Sequence, residues 1–466
     1  MNAEENGLPI PRRLLAICAV SFGQALCIMD GSVANIALPT IASDLRVDNS
    51  AAVMVVTIYQ LVLVMGLLPL SALGDKIGHN RLYRLGLLVF SVATGLCFIA
   101  DNLPLLLVIR AMQALGAAAV LSVSMAIVKA IYPPHQLGRG LALNTIVGAS
   151  AAALAPTLGG FILGVAPWPF IFVIGAPLGI ISLLLDKALP PSAPKGGSYD
   201  VWGALLCAAM FGLTISGIEY ANQGGSWRMA AAIVVAGLLL GFFFVRREFG
   251  RTRPLLPIDL LVRPTLALPT AGAALIYTGF TIVIVVLPFQ LQQTHGFSPI
   301  EIGTLMASIP VASFFVAPAA GILSDRIRPE RLALFGSLMS AIAAVALARL
   351  PAVASQLEIL WRLILLGVGV SFFTSPNTRM FIGAVPQDRT AAASGLVATT
   401  RLMGQTFGAT AATTLLALGL HESGLSQMIV AALFLLAGAT CVARLTARQI
   451  DNQDYRDGAA SRAPLG

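Results

Sequence analysis

Apolar runs of about 20 residues, each long enough to cross a bilayer, recur along almost the entire chain with short polar breaks between them. Only 11% of the residues are charged and 57% are hydrophobic, against roughly 25% charged in ordinary globular chains. That is too little polar surface for a soluble protein, and an all-α polytopic membrane protein is the fold class expected. The breaks give fourteen candidate spans, at roughly 14–39, 52–73, 83–100, 103–128, 139–164, 167–185, 201–221, 229–245, 265–291, 301–323, 332–349, 356–378, 391–418 and 424–443.

An even number of spans puts both termini on one side, and lysine and arginine, which concentrate in cytoplasmic loops, choose that side. With the N-terminus inside, most of the 29 lysines and arginines fall in inner segments. Arg46, Arg228 and Arg349 fall in outer loops, and Arg110, Arg362 and Arg401 fall inside spans. A miscounted helix would invert this bias downstream, so it also supports fourteen transmembrane helices with cytoplasmic termini in a cytoplasmic (inner) membrane. The net charge of +8 is scattered over inner loops without interleaved aromatics, which fits orientation and not nucleic acid. Cys18, Cys27, Cys97, Cys207 and Cys441 all lie in apolar spans, which argues against a disulfide framework. The first span follows Arg12 and Arg13 as a signal peptide would, but it is too long and lacks a small-residue cleavage site.

The loop "GDKIGHNRL" (74–82) aligns with "SDRIRPERL" (324–332): Asp, basic, Ile, three variable residues, Arg, Leu. Duplicated halves are a common transporter architecture, with the substrate at their interface near the midplane. The offset sets spans 1–6 against 9–14, a 6 + 2 + 6 layout. It divides the chain into an N-terminal bundle (1–186), a linker with two inserted helices (187–264), a C-terminal bundle (265–445) and a tail (446–466). "ALPPSAPKGGSYD" (188–200) reads as the linker and "VRREFGRTRPLLPIDLLVRP" (245–264) as a basic inner connection.

"IMDGSVANIALP" (28–39) places an ionisable carboxylate, Asp30, inside the first apolar run. An ionised side chain at a helix centre costs about 2.5–3.5 kcal/mol on insertion scales, so it persists only facing a cavity or a partner. Arg110 is the expected partner. Asp30 lies roughly 13 Å from the outer end of its span and Arg110 roughly 10 Å from the outer end of its own, at 1.5 Å per residue. Gln24, Asn35 and Gln113 would line one aqueous cavity around them, or else bond helix to helix. In such a place burial favours the neutral carboxyl and a guanidinium favours the charged one. A cavity that exposes Asp30 alternately to each side would therefore carry a proton, and a competing cationic substrate would be exchanged for it.

"MDGSVANIALP" (29–39) resembles the first-helix signature of the fourteen-span drug:proton antiporters of the major facilitator superfamily, with Asp30, Asn35, Ala37, Leu38 and Pro39 matching. "SALGDKIGHNRL" (71–82) is similar to that family's loop motif between helices 2 and 3, keeping Asp75, Gly78 and Arg81. "RAMQALG" (110–116) resembles its helix 4 motif, and "APTLGG" (155–160) its helix 5 antiporter motif, with Pro156, Gly159 and Gly160 present and Ala151 and Ala155 replacing glycines. The resemblance implies a charge network of Asp75 and Arg81 that latches the two halves in the outward-facing state, with Asp75 at a helix start where the macrodipole favours a carboxylate. Asp325, Arg326 and Arg331 would be its counterparts. Pro156, Gly159 and Gly160 would form either a bending point or a close helix contact.

Weaker signals complete the expectation. Glu219, the one acidic residue in the inserted helices, is expected to be interfacial and solvated. Arg362 echoes Arg110 by repeat position, and Arg401 is a cavity-lining candidate that would bind an anion or pair with a helix carbonyl. Tyr277, Thr278, Thr281 and Gln290 are cavity candidates or helix contacts. Phe314, Phe315, Phe372 and Phe373 are read as lipid or core packing before substrate-facing aromatics. The four histidines fall in loops, with no HExxH pair, Walker loop or cysteine cluster, so an enzyme is not expected and no cofactor or metal is called for. The function expected is a proton-coupled exporter of lipophilic or cationic drugs, such as quaternary ammonium compounds and dyes. The alternative is export of an anionic or zwitterionic metabolite. The partners are a small-molecule substrate, protons and membrane lipids. "GFILG" (160–164) and "GLLLG" (237–241) suit packing within a monomer as well as a dimer contact.

Overall fold

The computed structural model describes residues 8–133, 136–192, 199–249, 261, 264–351, 353–382, 390–420 and 424–460. Among these, fourteen long helical segments follow one another: α1 (Ile10–Asp44), α2 (Asn49–Ile77), α3 (His79–Ile99), α4 (Leu103–Ile131), α5 (Leu137–Val165), α6 (Phe170–Ala188), α7 (Val201–Asn222), α8 (Trp227–Glu248), α9 (Pro264–Thr294), α10 (Pro299–Arg326), α11 (Pro329–Ala348), α12 (Gln356–Ile382), α13 (Thr390–Ala417) and α14 (Leu425–Ala460). Local chemistry sets several boundaries. Asn102 caps α4 by accepting from the Leu105 N–H, and Ser298 with Glu301 forms a capping box ahead of Pro299 on α10. Gly78 breaks α2 from α3 at φ +98°, a conformation that a side chain would strain.

The expectation of fourteen transmembrane helices is corrected by this structure. Among the described residues, twelve helices are long and apolar enough to cross a membrane. The two others are α5 and α13. In α5 the described apolar stretch is Ser150–Val165, most side chains of the helix before it lying outside the described residues. In α13, repeated threonines with Arg401 and Gln405 dilute the alanines and leucines. Both helices lie at the seam between the bundles, α5 against α10 and α1, α13 against α2 and α9. A helix that is buried by protein on several sides does not need an apolar circumference.

The α1–α6 and α9–α14 bundles meet along this seam, while α8 packs on α7, which lies against both α2 and α13. The loop pair that marks the repeat occupies equivalent places, joining α2 to α3 and α10 to α11. The start of the linker is pinned beneath the first bundle. Arg12 donates to the Ala188 and Leu189 carbonyls at 2.9 and 3.0 Å, the His79 N–H donates to Ser192 Oγ at 2.8 Å, and Arg84 pairs with Asp186. The rest of the linker and most of the 245–264 connection lie outside the described residues. All five cysteines are free.

The seam is closed at the end where α2 begins and α5 finishes. A methyl group on Gly160 would sit 2.5 Å from the Pro299 carbonyl oxygen and 3.0 Å from the Gly303 Cα, while one on Gly303 would strike the Pro156 carbonyl. Gly164 faces Ile300 in the same contact. Asn49 and Gln293 exchange side-chain hydrogen bonds of 2.9 and 3.0 Å across the seam, and Thr406 donates to the Gln60 carbonyl at 3.3 Å. Of the two roles open to Pro156, Gly159 and Gly160, close contact is the one on display. Gly159 lies against Val33, and Gly160 brings two backbones together as small residues do between membrane helices. Gly237 likewise packs within the chain, against Thr214 of α7.

Candidate functional site

A cavity of ≈ 500 Å³ lies between the bundles. Its wall draws on α1 (Gln24, Cys27, Asn35), α2 (Tyr59, Gln60), α5 (Pro156), α9 (Tyr277, Phe280, Thr281), α10 (Met306) and α13 (Arg401, Gln405). Of the cavity candidates, Gln24, Asn35, Tyr277, Thr281 and Arg401 face one space. Gln113, Thr278 and Gln290 do not line it. Asn144 donates to Gln24 at 2.6 Å, while Asn35 bonds its own helix at the Gly31 carbonyl, 3.1 Å away. Arg401 is exposed to the cavity and makes no hydrogen bond or ion pair among the described residues. It is the one formally charged side chain on the described wall.

Asp30 and Arg110 stand one layer behind that wall. Arg110 Nη1 donates to Asp30 Oδ2 at 2.7 Å, with the two side chains 0% and 2% exposed. The same Nη1 donates to Gln113 Oε1 at 2.8 Å, and Gln113 Nε2 donates to Thr94 Oγ1 at 3.0 Å. Arg110 Nε reaches the Val55 carbonyl at 3.4 Å. The guanidinium is sandwiched between the Tyr59 ring at 4.4 Å and the Phe172 ring at 4.8 Å, an arrangement that stabilises a desolvated cation. Asp30 Oδ1 and Arg110 Nη2 have no hydrogen-bond partner in the protein. The pair is neutral overall, yet each member keeps one unused polar atom, so Asp30 can accept a proton without first losing every contact.

Tyr59 and Phe172 escape a reading of the sequence, because a single aromatic in an apolar run looks like any packing residue. Tyr59 is the more consequential. One face of its ring covers Arg110, its hydroxyl donates to the Cys27 carbonyl at 3.3 Å, and the residue also lines the cavity.

The remaining expectations divide. Asp75 lies in the last turn of α2 and not at a helix start, and it pairs with His79 Nε2 at 3.2 Å. Arg81 is exposed and forms no ion pair with Asp75. Arg326 and Arg331 are exposed around the equivalent turn, and the Asp325 side chain lies outside the described residues. Arg362 is no echo of Arg110: it donates to the Ala346 carbonyl at 3.0 Å and to the Glu358 carbonyl. Gln290 accepts from Gln427 at 2.5 Å and Thr278 donates to two backbone carbonyls, both away from the cavity wall. Phe315 is 72% exposed on the outer surface, Phe372 stacks on Phe335, and Phe373 is buried. Glu219 is 6% exposed, where a solvated position was expected.

A family model described as Major Facilitator Superfamily matches residues 20–263 and 270–464. The chain is 37% identical over 452 residues to an uncharacterized transporter, YebQ, of Escherichia coli (strain K12), covering 96% of this chain and 98% of that protein. It is 30% identical to the riboflavin transporter RibZ of Clostridioides difficile (strain 630), covering 84% and 85%. It is 27% identical to the tetracenomycin C resistance and export protein of Streptomyces glaucescens, covering 86% and 75%. Among solved structures, a peptide transporter POT in complex with sulfate superposes with a TM-score of 0.72 over 93% of this chain and 94% of that one, at 14% identity. That last likeness is one of fold alone.

Proposed function

The chain belongs to the major facilitator superfamily and is a transporter, and from that premise we propose that it is a proton-coupled exporter of lipophilic drugs working by alternating access. The observation that carries this reading is the position of Tyr59, shared between the cavity wall and the stack over the buried Asp30–Arg110 pair. A substrate lying against the aromatic wall of Tyr59, Tyr277 and Phe280 displaces a ring that holds Arg110. That shift changes how well Arg110 neutralises Asp30, and with it the proton Asp30 holds. Binding energy is thereby linked to protonation, as reciprocal coupling between two sites requires. The name of the Streptomyces relative supports the outward direction. With both termini on the cytoplasmic side of an inner membrane, the closed end of the seam would face outward.

The test is efflux of fluorescent lipophilic dyes from cells carrying the protein. Export that stops when a protonophore collapses the gradient is expected; export that continues unchanged would remove proton coupling.

Arg401 favours a second reading for substrate charge. With Asp30 held behind the wall and engaged by Arg110, the cavity offers a free guanidinium and no free carboxylate among its described residues. This suits anionic or zwitterionic aromatic compounds better than quaternary ammonium ions. Hydrogen bonds to a charged group contribute about 1.5–3 kcal/mol. Arg401→Gln is therefore expected to lower transport of an anionic dye about tenfold or more while leaving a cationic dye within about twofold. Equal effects on both dyes would assign Arg401 to structure.

A further inference from the structure

Glu219 sits where the inserted hairpin crosses the seam. It is carried by α7, which packs on α2 of the first bundle, yet the side chains around its carboxylate include Thr410 and Thr413 of α13, which belongs to the second. Its own helix contributes Asn222 and Tyr220, and α2 contributes Met54, Thr57, Ile58 and Leu61 through a small pocket that Glu219 lines. None of the α2 or α13 groups is charged. From α8, the one charged side chain of the first turn, Arg228, lies over the Trp227 ring. Neither carboxylate oxygen of Glu219 has a hydrogen-bond partner of normal geometry.

Holding a carboxylate without a cation out of water favours the neutral acid. The enclosure depends on the state of the transporter, because α2 of the first bundle and α13 of the second both contribute to it. When the seam is closed at the Asn49–Gln293 end, Thr410 and Thr413 cover Glu219. When the bundles part at this end, α13 draws away and water reaches the carboxyl. We propose that Glu219 is a second proton-binding group, one that takes up a proton from the water at this end as the seam closes and releases it as the seam opens. The balance is one proton per closure, carboxylate to carboxylic acid, with no other bond made or broken. This gives the inserted hairpin a task that the two bundles alone do not provide: a pH-sensitive latch on one of the two gates. It rests on alternating access and not on the role proposed for Asp30.

Spin labels on Asp101→Cys and Val353→Cys, exposed positions in loops of the two bundles at this end, report the opening by pulsed electron resonance. In the native chain the distance is expected to lengthen as pH rises. Glu219→Gln, which keeps the shape of the neutral acid, is expected to stay short at the alkaline pH where the native chain has opened. Opening of Glu219→Gln over the same pH range as the native chain would overturn the proposal. Loss of drug transport in Asp30→Asn bears on the export mechanism alone. A readout that needs no variant is the infrared carboxylic-acid band of the native chain. It should fall in step with the lengthening distance, and a band unchanged by opening would count against the latch.

Discussion

Asp30→Leu is expected to lower the stability of the folded protein by about 3–5 kcal/mol, the cost of removing one partner from a buried ion pair. Arg110→Gln is expected to cost clearly less. The asymmetry comes from the two groups' chemistry. Without Asp30, the Arg110 guanidinium stays fully buried and charged, since it does not deprotonate in proteins. Its stack between Tyr59 and Phe172, and its bonds to Gln113 and Val55, offset only part of that charge. Without Arg110, Asp30 can take a proton and become neutral. The combined variant, Asp30→Asn with Arg110→Gln, buries no charge and is expected to be more stable than Asp30→Leu. Thermal unfolding of the detergent-solubilised proteins gives the order. Equal losses for Asp30→Leu and Arg110→Gln would show that packing, and not charge, holds this layer together.

Gly160→Leu is expected to have the second large effect, on conformation and not on folding. The new side chain would start 2.5 Å from the Pro299 carbonyl oxygen, with the backbone of Gly303 behind it. Backbone cannot swing aside as a side-chain tip would, so the contact is relieved by parting the bundles at this end. Overpacking of this kind costs about 1–3 kcal/mol, which is roughly a 5- to 150-fold shift between two conformations. The predicted outcome is a protein present at normal levels, with transport reduced by a comparable factor. A cysteine at Asn49, placed where the Gln293 bond now seals the seam, should become reactive toward a membrane-impermeant maleimide. Normal transport with unchanged labelling would mean that the Gly160–Gly303 contact is not part of the gate.

Parts of this protein were legible from sequence for simple reasons. Asp30 and Arg110 stand out because each interrupts an apolar run, and counting residues from the span ends places them at one depth. Five cavity residues were legible for the same reason, as polar side chains in helices otherwise built for lipid. Other features depend on what packs against what. Tyr59 could not be told from a core aromatic until its ring was seen between Arg110 and the cavity. Glu219 lies near a helix end, which suggests water, but α7 folds across the seam and covers it. Arg362 matched Arg110 by repeat position, yet its guanidinium reaches backbone carbonyls at a helix end. The span count departs from the structure at α13, where threonines with Arg401 and Gln405 interrupt what reads as an apolar run. In this structure α2 continues through Ile77 and presents Asp75 to His79 one turn on, while Arg81, beyond the Gly78 break, is exposed.

Asp30 is proposed to carry the proton that drives export. The most direct measurement is proton movement in proteoliposomes holding an internal pH dye, with a transported lipophilic dye added and no imposed gradient, comparing the native protein with Asp30→Asn. The account predicts substrate-dependent proton flux in the native protein and none above background in Asp30→Asn, with both present in equal amounts. Equal proton flux in the two would contradict it and return Asp30 to a purely structural role.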